Sequence, residues 1–203
     1  MKIVTSNARM RALINKALSK EGDKVLKVAA SNIRKRVKEV VRVSVATCPE
    51  IQELSSGVLK FDFGLTEDPS VAIVNAVANS TRVSISKITS TRGNFKGGIK
   101  IYVQPSSFSN LLSLPVANQA TEKGWQMPWL KWLLTAGDSV IIGDFGVEYE
   151  FGAGRTGGAR MIEGRTPFRV NPMYSGDTEE NFITRAIAPS MREISKIARE
   201  ELS

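Results

Sequence analysis

The sequence predicts an α+β fold in which an antiparallel sheet packs against long N-terminal and C-terminal helices. Three observations carry this. The first 47 residues hold no proline and one glycine, Gly22; period-two alternation of apolar residues is confined to the middle, about 81–170; and helical periodicity returns over about 178–202. Helices and strands thus segregate along the chain, the order of an antiparallel layer covered by helices. Residues 1–203 are expected to form a single domain, because no repeat, low-complexity tract or linker divides them and single domains reach this size.

The first element is a basic amphipathic helix over about 7–47. Leu18, Val25, Val28, Ala29, Ile33, Val37, Val40 and Val41 recur at helical spacing and are expected to face inward, with a bend or restart at Gly22-Asp23. Lys24, Lys27, Arg34, Lys35, Lys38 and Arg42 fall on the other side and make a face suited to phosphate or to an acidic partner. Cys48-Pro49 ends the helix, since the residue before a proline disfavours helical backbone. Pro49-Glu50-Ile51-Gln52-Glu53-Leu54 then reads as a short helix opened by proline and closed at Gly57. Asp68-Pro69 starts a third helix with Ile73, Val74 and Val77 inward.

Beyond Asn79 the period changes. Val83, Ile85 and Ile88, then Ile99, Ile101 and Val103, alternate as two strands of a hairpin, with turns expected at Gly93-Asn94 and Gly97-Gly98. Trp125, Trp129 and Trp132 are expected on one side of a helical turn, as a core plug or as an interface anchor. Residues 138–145 and 147–151 are expected to pair around 143–146, with a Gly-rich loop over 152–158. The last helix turns Ile183, Ile187, Met191, Ile194, Ile197 and Ala198 inward and is interrupted at Pro189.

Composition removes several function classes. With no His and a lone Cys48, the chain offers neither an internal disulfide nor a His-based metal cluster, and Ser-His-Asp and Cys-His mechanisms are closed to it. The apolar runs are too short for a membrane-spanning helix, and the N-terminus lacks the pattern of a secretory signal, so a soluble protein made in a cytoplasm is expected. Charge is uneven: residues 1–50 hold twelve Lys/Arg against four Asp/Glu, net +8, while 51–203 hold sixteen of each.

Gly152-Ala153-Gly154-Arg155-Thr156-Gly157 matches the dinucleotide G-x-G-x-x-G spacing and follows an expected strand. A dinucleotide site also needs a helix that begins in that loop, and Gly158, Gly164 and Pro167 oppose one, so no cofactor is expected. No Lys-Ser or Lys-Thr follows the glycines, which excludes a P-loop. Asp144, Glu148 and Glu150 could form a two-metal nuclease site, yet charged strand faces also protect sheet edges, and that reading is preferred. The basic helix face lacks interleaved aromatic residues and any base-reading signature, so its phosphate contacts would be independent of sequence.

The stretch Gly146-Val147-Glu148-Tyr149-Glu150-Phe151-Gly152-Ala153-Gly154, followed by Thr166-Pro167-Phe168-Arg169-Val170-Asn171-Pro172, resembles tail-completion or neck proteins of tailed phages. The long N-terminal helix leading into Pro49–Leu54, Gly57-Val58-Leu59-Lys60 and Phe63-Gly64-Leu65 is similar to neck-region proteins of contractile-tail phages. The chain departs from the compact members in a longer middle, about 106–134. The resemblance implies a structural virion protein and not an enzyme. Its subunits would form a ring, commonly six-fold, between the connector and the tail, in contact with other neck, connector or tail proteins and with passing DNA. It implies no small-molecule substrate, no membrane and no catalytic residues. Trp125, Trp129, Trp132, Tyr149, Phe151, Gly152, Gly154 and Arg155 are the expected subunit-interface residues. A sequence-independent DNA-binding protein using the basic helix is the alternative.

Overall fold

The computed structural model describes residues 7–91, 94–121 and 124–203. Helix α1, Asn7–Ala46, is one continuous helix of 40 residues, about 60 Å long at 1.5 Å per residue. The helix does not restart at Gly22-Asp23. There the side chain of Ile88 lies against Gly22, and the Asp23 carboxylate accepts a hydrogen bond from the Ile88 backbone N–H at 2.8 Å.

The apolar stripe of α1 divides at its middle. Ala29, Ala30, Ile33, Val37, Val41 and Val45 are buried and face the core. Leu18, Val25 and Val28, expected inward, are exposed together with Met10, Leu13 and Ile14. A hairpin covers the opposite side of this half, where Asn15, Ser19, Gly22, Asp23 and Leu26 are the partly buried positions.

Cys48 is extended, and Pro49 opens α2, Pro49–Ser56, which stops at Gly57. A short α3, Val58–Asp62, follows and had no distinct sequence signal. Helix α4, Ser70–Ser80, begins where Asp68-Pro69 predicts it; Ile73, Val74 and Val77 are buried, and the Asp68 carboxylate accepts from the Ser70 N–H at 2.9 Å. Strands β1, Arg82–Thr91, and β2, Asn94–Tyr102, form the expected antiparallel hairpin with Val83 opposite Ile101 and Ile85 opposite Ile99. Gly97-Gly98 lies inside β2, with Gly98 opposite Ser86, and makes no turn. Gly93 lies outside the described residues.

The middle segment packs as short pieces: α5, Ser109–Leu112; a 3-10 turn, Pro115–Ala117; paired strands β3, Gln119–Ala120, and β4, Gln126–Met127; and α6, Trp129–Thr135. Residues 138–145 and 147–151 do not pair with each other. Instead β5, Phe145–Tyr149, pairs antiparallel with β6, Ala159–Glu163, and Ile142 makes an isolated bridge to Phe168. The strands therefore form separate two-stranded ladders where one sheet was expected.

The C-terminal helical segment begins at Asn181, later than about 178. Asn181 caps α7, Phe182–Ile187, and Pro189 falls in a 3-10 turn, Ala188–Ser190, before α8, Met191–Glu200. Ile183, Ile187, Ile194 and Ile197 are buried as expected, whereas Met191 is exposed. Helix α8 lies on α1, where Arg36 pairs with Glu200 at 2.7 Å and Glu201 at 2.9 Å. One apolar cluster joins the second half of α1 to α2, α4, α6, α7 and α8, with Phe63, Trp129, Phe168 and Phe182 among its members.

Candidate assembly surface

The Gly-rich stretch is the loop of the β5–β6 hairpin. Gly152, Gly154 and Gly157 all have positive φ, at 81°, 64° and 72°, and the Gly152 N–H donates to the Gly157 carbonyl at 2.8 Å. The three glycines with dinucleotide-like spacing thus serve a tight loop that leads into a strand, whereas a pyrophosphate cradle leads into a helix.

Arg155 reaches from this loop across Gly64, where a Cβ would meet its guanidinium, and donates to the Ala120 carbonyl at 2.6 Å. It closes one end of a groove of about 870 Å³ walled by Phe61 and Phe63, by Trp125 and Met127, and by Phe145, Val147 and Met161 of the β5–β6 hairpin. Phe145, Val147 and Tyr149 alternate onto this face of β5, opposite Glu163, Met161 and Ala159. The hydroxyl of Tyr149 donates to the Asp62 carboxylate, tying the hairpin to α3. Burial holds the Asp62 carboxyl above its ordinary range, against the lowering effect of the Tyr149 bond; burial and that carboxylate raise the Tyr149 hydroxyl.

The three Trp do not share a face. Pro128 precedes α6, so Trp125 lies before the helix and is 74% exposed. Trp129 is fully buried, its indole N–H donates to the Val116 carbonyl at 2.8 Å, and its ring packs 5.5 Å from that of Phe63. Trp132 is partly buried against the core. Trp129 is therefore the core plug, and Trp125 alone is open to a partner. Phe151, at the tip of the hairpin loop, is fully exposed, and Tyr149 is half-exposed.

Two of the three candidate nuclease carboxylates are engaged by arginine. Glu148 pairs with Arg160 at 3.1 Å and with Arg165, and Glu150 pairs with Arg160 at 3.1 Å. Glu148 lies in β5 and Glu150 just beyond its end, while Asp144 precedes the strand, outside the cluster. Cys48 is buried, and burial lifts its thiol to about 11, which leaves it a poor nucleophile.

No family model, curated protein or solved structure matches the chain.

On the basic face, Lys24 pairs with Glu21 at 2.8 Å and Arg42 with Glu39 at 3.7 Å. Among the described residues, Lys27, Arg34, Lys35 and Lys38 make no ion pair. No helix among the described residues is long and apolar enough to cross a membrane.

Two features escaped sequence reasoning. One is the groove, whose walls come from three distant segments with no common motif. The other is the bare stripe Met10, Leu13, Ile14, Leu18, Val25 and Val28, between 49% and 64% exposed. Its helical spacing is visible in the sequence, but only tertiary packing decides which face the hairpin covers.

Proposed function

We propose that this chain is a structural virion protein of the head-tail joint of a tailed phage, a neck or tail-completion subunit that acts as a homo-oligomeric ring between connector and tail. It works through surfaces and has no catalytic step. The observation that carries the reading is the first half of α1, which turns Asn15, Ser19, Gly22, Asp23 and Leu26 toward its own hairpin and six large apolar residues toward solvent. A contiguous exposed apolar face of this kind marks an assembly contact. Exposed Trp125 and Phe151 add aromatic anchors, and the resemblance of 146–154 and 166–172 to neck proteins names the assembly.

The test is native mass spectrometry of the purified chain, with negative-stain images of it added to connectors and to tails. A ring that joins one to the other is expected. Monomers throughout, with no attachment to either, would overturn the reading.

Lys27, Arg34, Lys35 and Lys38, which make no ion pair among the described residues, favour a second reading, a sequence-independent contact with DNA. Phosphate binding weakens steeply as salt rises, whereas an apolar ring contact does not, so retention on DNA across a salt series separates the two.

A further inference from the structure

The β1–β2 hairpin has two unlike faces. The ladder register turns Val83 and Ile85 of β1 and Ile99 and Ile101 of β2 to one side, where Val83, Ile99 and Ile101 pack against the core and Ile88 rests on Gly22 of α1. The opposite side carries the pairs Arg82–Tyr102, Ser84–Lys100, Ser86–Gly98 and Thr89–Lys96. Arg82, Lys96 and Lys100 are exposed there, and so is Lys87 at the register break between Ser86 and Thr89.

Charge on this outer face has one sign. Residues 81–103 carry five Lys/Arg and no Asp/Glu. Among the described residues, Arg82, Lys87, Lys96 and Lys100 make no ion pair. The Asp23 carboxylate, which α1 brings to the hairpin, accepts the Ile88 N–H. Lys87, Lys96 and Lys100 line an open hollow of about 430 Å³ together with Ser86, Thr89 and Gly98, and no carboxylate lines it. A Cβ at Gly98 would meet open space, so a ligand can approach the strand closely there.

The chemistry and the spacing fit duplex phosphate. Lysines supply the charge, and short hydroxyl side chains donate to phosphate oxygens. Lys96 and Lys100 lie four residues apart on one face of β2, about 13 Å at roughly 3.3 Å per residue. That is close to the roughly 12 Å width of the major groove of B-DNA, which admits a two-stranded ribbon, so the two lysines can reach the backbones on either side of one groove. An anionic lipid surface would call for apolar side chains to insert beside the cations, and Ser84, Ser86, Gly98 and Thr89 stand there instead.

We infer that the outer face of the β1–β2 hairpin binds the phosphate backbone of duplex DNA without regard to sequence, with Lys87, Lys96 and Lys100 as its cations and Ser86 and Thr89 as hydroxyl donors. This surface uses none of the α1 cations of the second reading above and does not depend on ring formation.

The test is the affinity of the full chain for two short duplexes of unrelated sequence, read by fluorescence anisotropy across a salt series. Converting Lys87, Lys96 and Lys100 to Gln is expected to reduce the slope of log affinity against log salt by about 2.7 on both duplexes, at roughly 0.9 per phosphate contact. Gly98→Glu takes away no side chain and sets a carboxylate into the hollow, so it is expected to weaken binding several-fold, whereas Gly98→Gln, of equal bulk, is not. The three lysines are exposed and Gly98 has room for a side chain, so these variants keep the fold, which circular dichroism checks. A wild type that binds neither duplex at low salt overturns the inference, and so does a triple variant or a Gly98→Glu chain that matches the wild type in affinity and slope. The same series with Lys27, Arg34, Lys35 and Lys38 converted to Gln separates the two surfaces. A slope that falls only with those four overturns the hairpin contact and leaves the helix reading standing; a slope that falls only with the hairpin lysines does the reverse.

Discussion

The Asp23 carboxylate in α1 accepts the backbone N–H of Ile88, 65 positions away, at 2.8 Å. The β1–β2 register breaks at this place, pairing Ser86 with Gly98 and resuming with Thr89 opposite Lys96. Asp23 thus serves an amide at the irregularity of the ladder, and it fixes which side of α1 the hairpin occupies. The apolar side is left bare as a consequence.

Asp23→Ala should therefore loosen the arm without touching the core. Loss of a hydrogen bond to a charged acceptor costs about 1.5 kcal/mol, which is roughly a tenfold rise in exchange at the Ile88 amide if the hairpin opens locally. The thermal midpoint should move little, because the packed half of α1 lies beyond Ala29. Unchanged protection at Ile88 would show that other contacts hold the hairpin.

Asn181→Ala should cost about 2 kcal/mol, the upper end for a lost helix cap. Asn181 is fully buried; its side-chain oxygen accepts from the Ile183 and Thr184 N–H groups at 3.1 and 3.2 Å, and its amide donates to the Asp177 carbonyl at 3.0 Å. Truncation leaves the buried Ile183 N–H without its acceptor and should lower the denaturation midpoint with an unchanged m-value.

That cap also illustrates what the sequence made legible. Helices announced by proline placement and periodicity, such as α1, α2 and α4, are where the residues foretold them. The start of the last helical segment was misplaced because residues 178–180 have no helix breaker, whereas Asn181 stops the chain through its own hydrogen bonds. The Trp cluster misled for a local reason: Pro128 begins α6 between Trp125 and Trp129, so helical spacing never applied to all three. The partner of β5 was wrong because alternation shows a strand exists but not its neighbour; the pairing with β6 depends on the glycine loop between them. Gly22 looked like a break and serves instead as a flat seat for Ile88.

Asp62→Asn should stabilise the protein above the acid range and flatten its pH dependence. Burial raises the carboxyl of Asp62 in the folded state, so between the unfolded and folded titration ranges the native chain retains a proton that the unfolded chain has released. Stability therefore falls as pH rises through that window and stays lower above it. Asn keeps an acceptor for the Tyr149 hydroxyl and cannot ionise. Midpoints of urea denaturation across a pH series should separate above the window and converge below it.

Two glycines of the hairpin loop should respond differently to the same change. At Gly152, φ 81°, an added Cβ meets open space, so Gly152→Ala should cost only the left-handed backbone penalty, about 1–2 kcal/mol. At Gly154, φ 64°, the Cβ would run into the Ala159 carbonyl oxygen. Gly154→Ala should cost more and displace the start of β6, visible as shifted amide resonances at Ala159 and Arg160. Equal costs would mean that the loop relaxes freely and does not fix the groove.

The basic face of α1 offers a quantitative separation of its two partners. Lys27, Arg34, Lys35 and Lys38 make no ion pair among the described residues, whereas Lys24 and Arg42 are engaged by Glu21 and Glu39. If the free four meet phosphate, converting them to Gln should reduce the slope of log affinity against log salt by up to about 3.6, at roughly 0.9 per phosphate contact on duplex DNA. Lys24→Gln and Arg42→Gln should change it less, because their charges are already engaged by Glu21 and Glu39 and are less available to phosphate. The effect should be the same on unrelated DNA sequences, since contacts to phosphate carry no sequence information. An unchanged slope would reassign the four charges to an acidic protein surface, where the same substitutions should slow association with the partner.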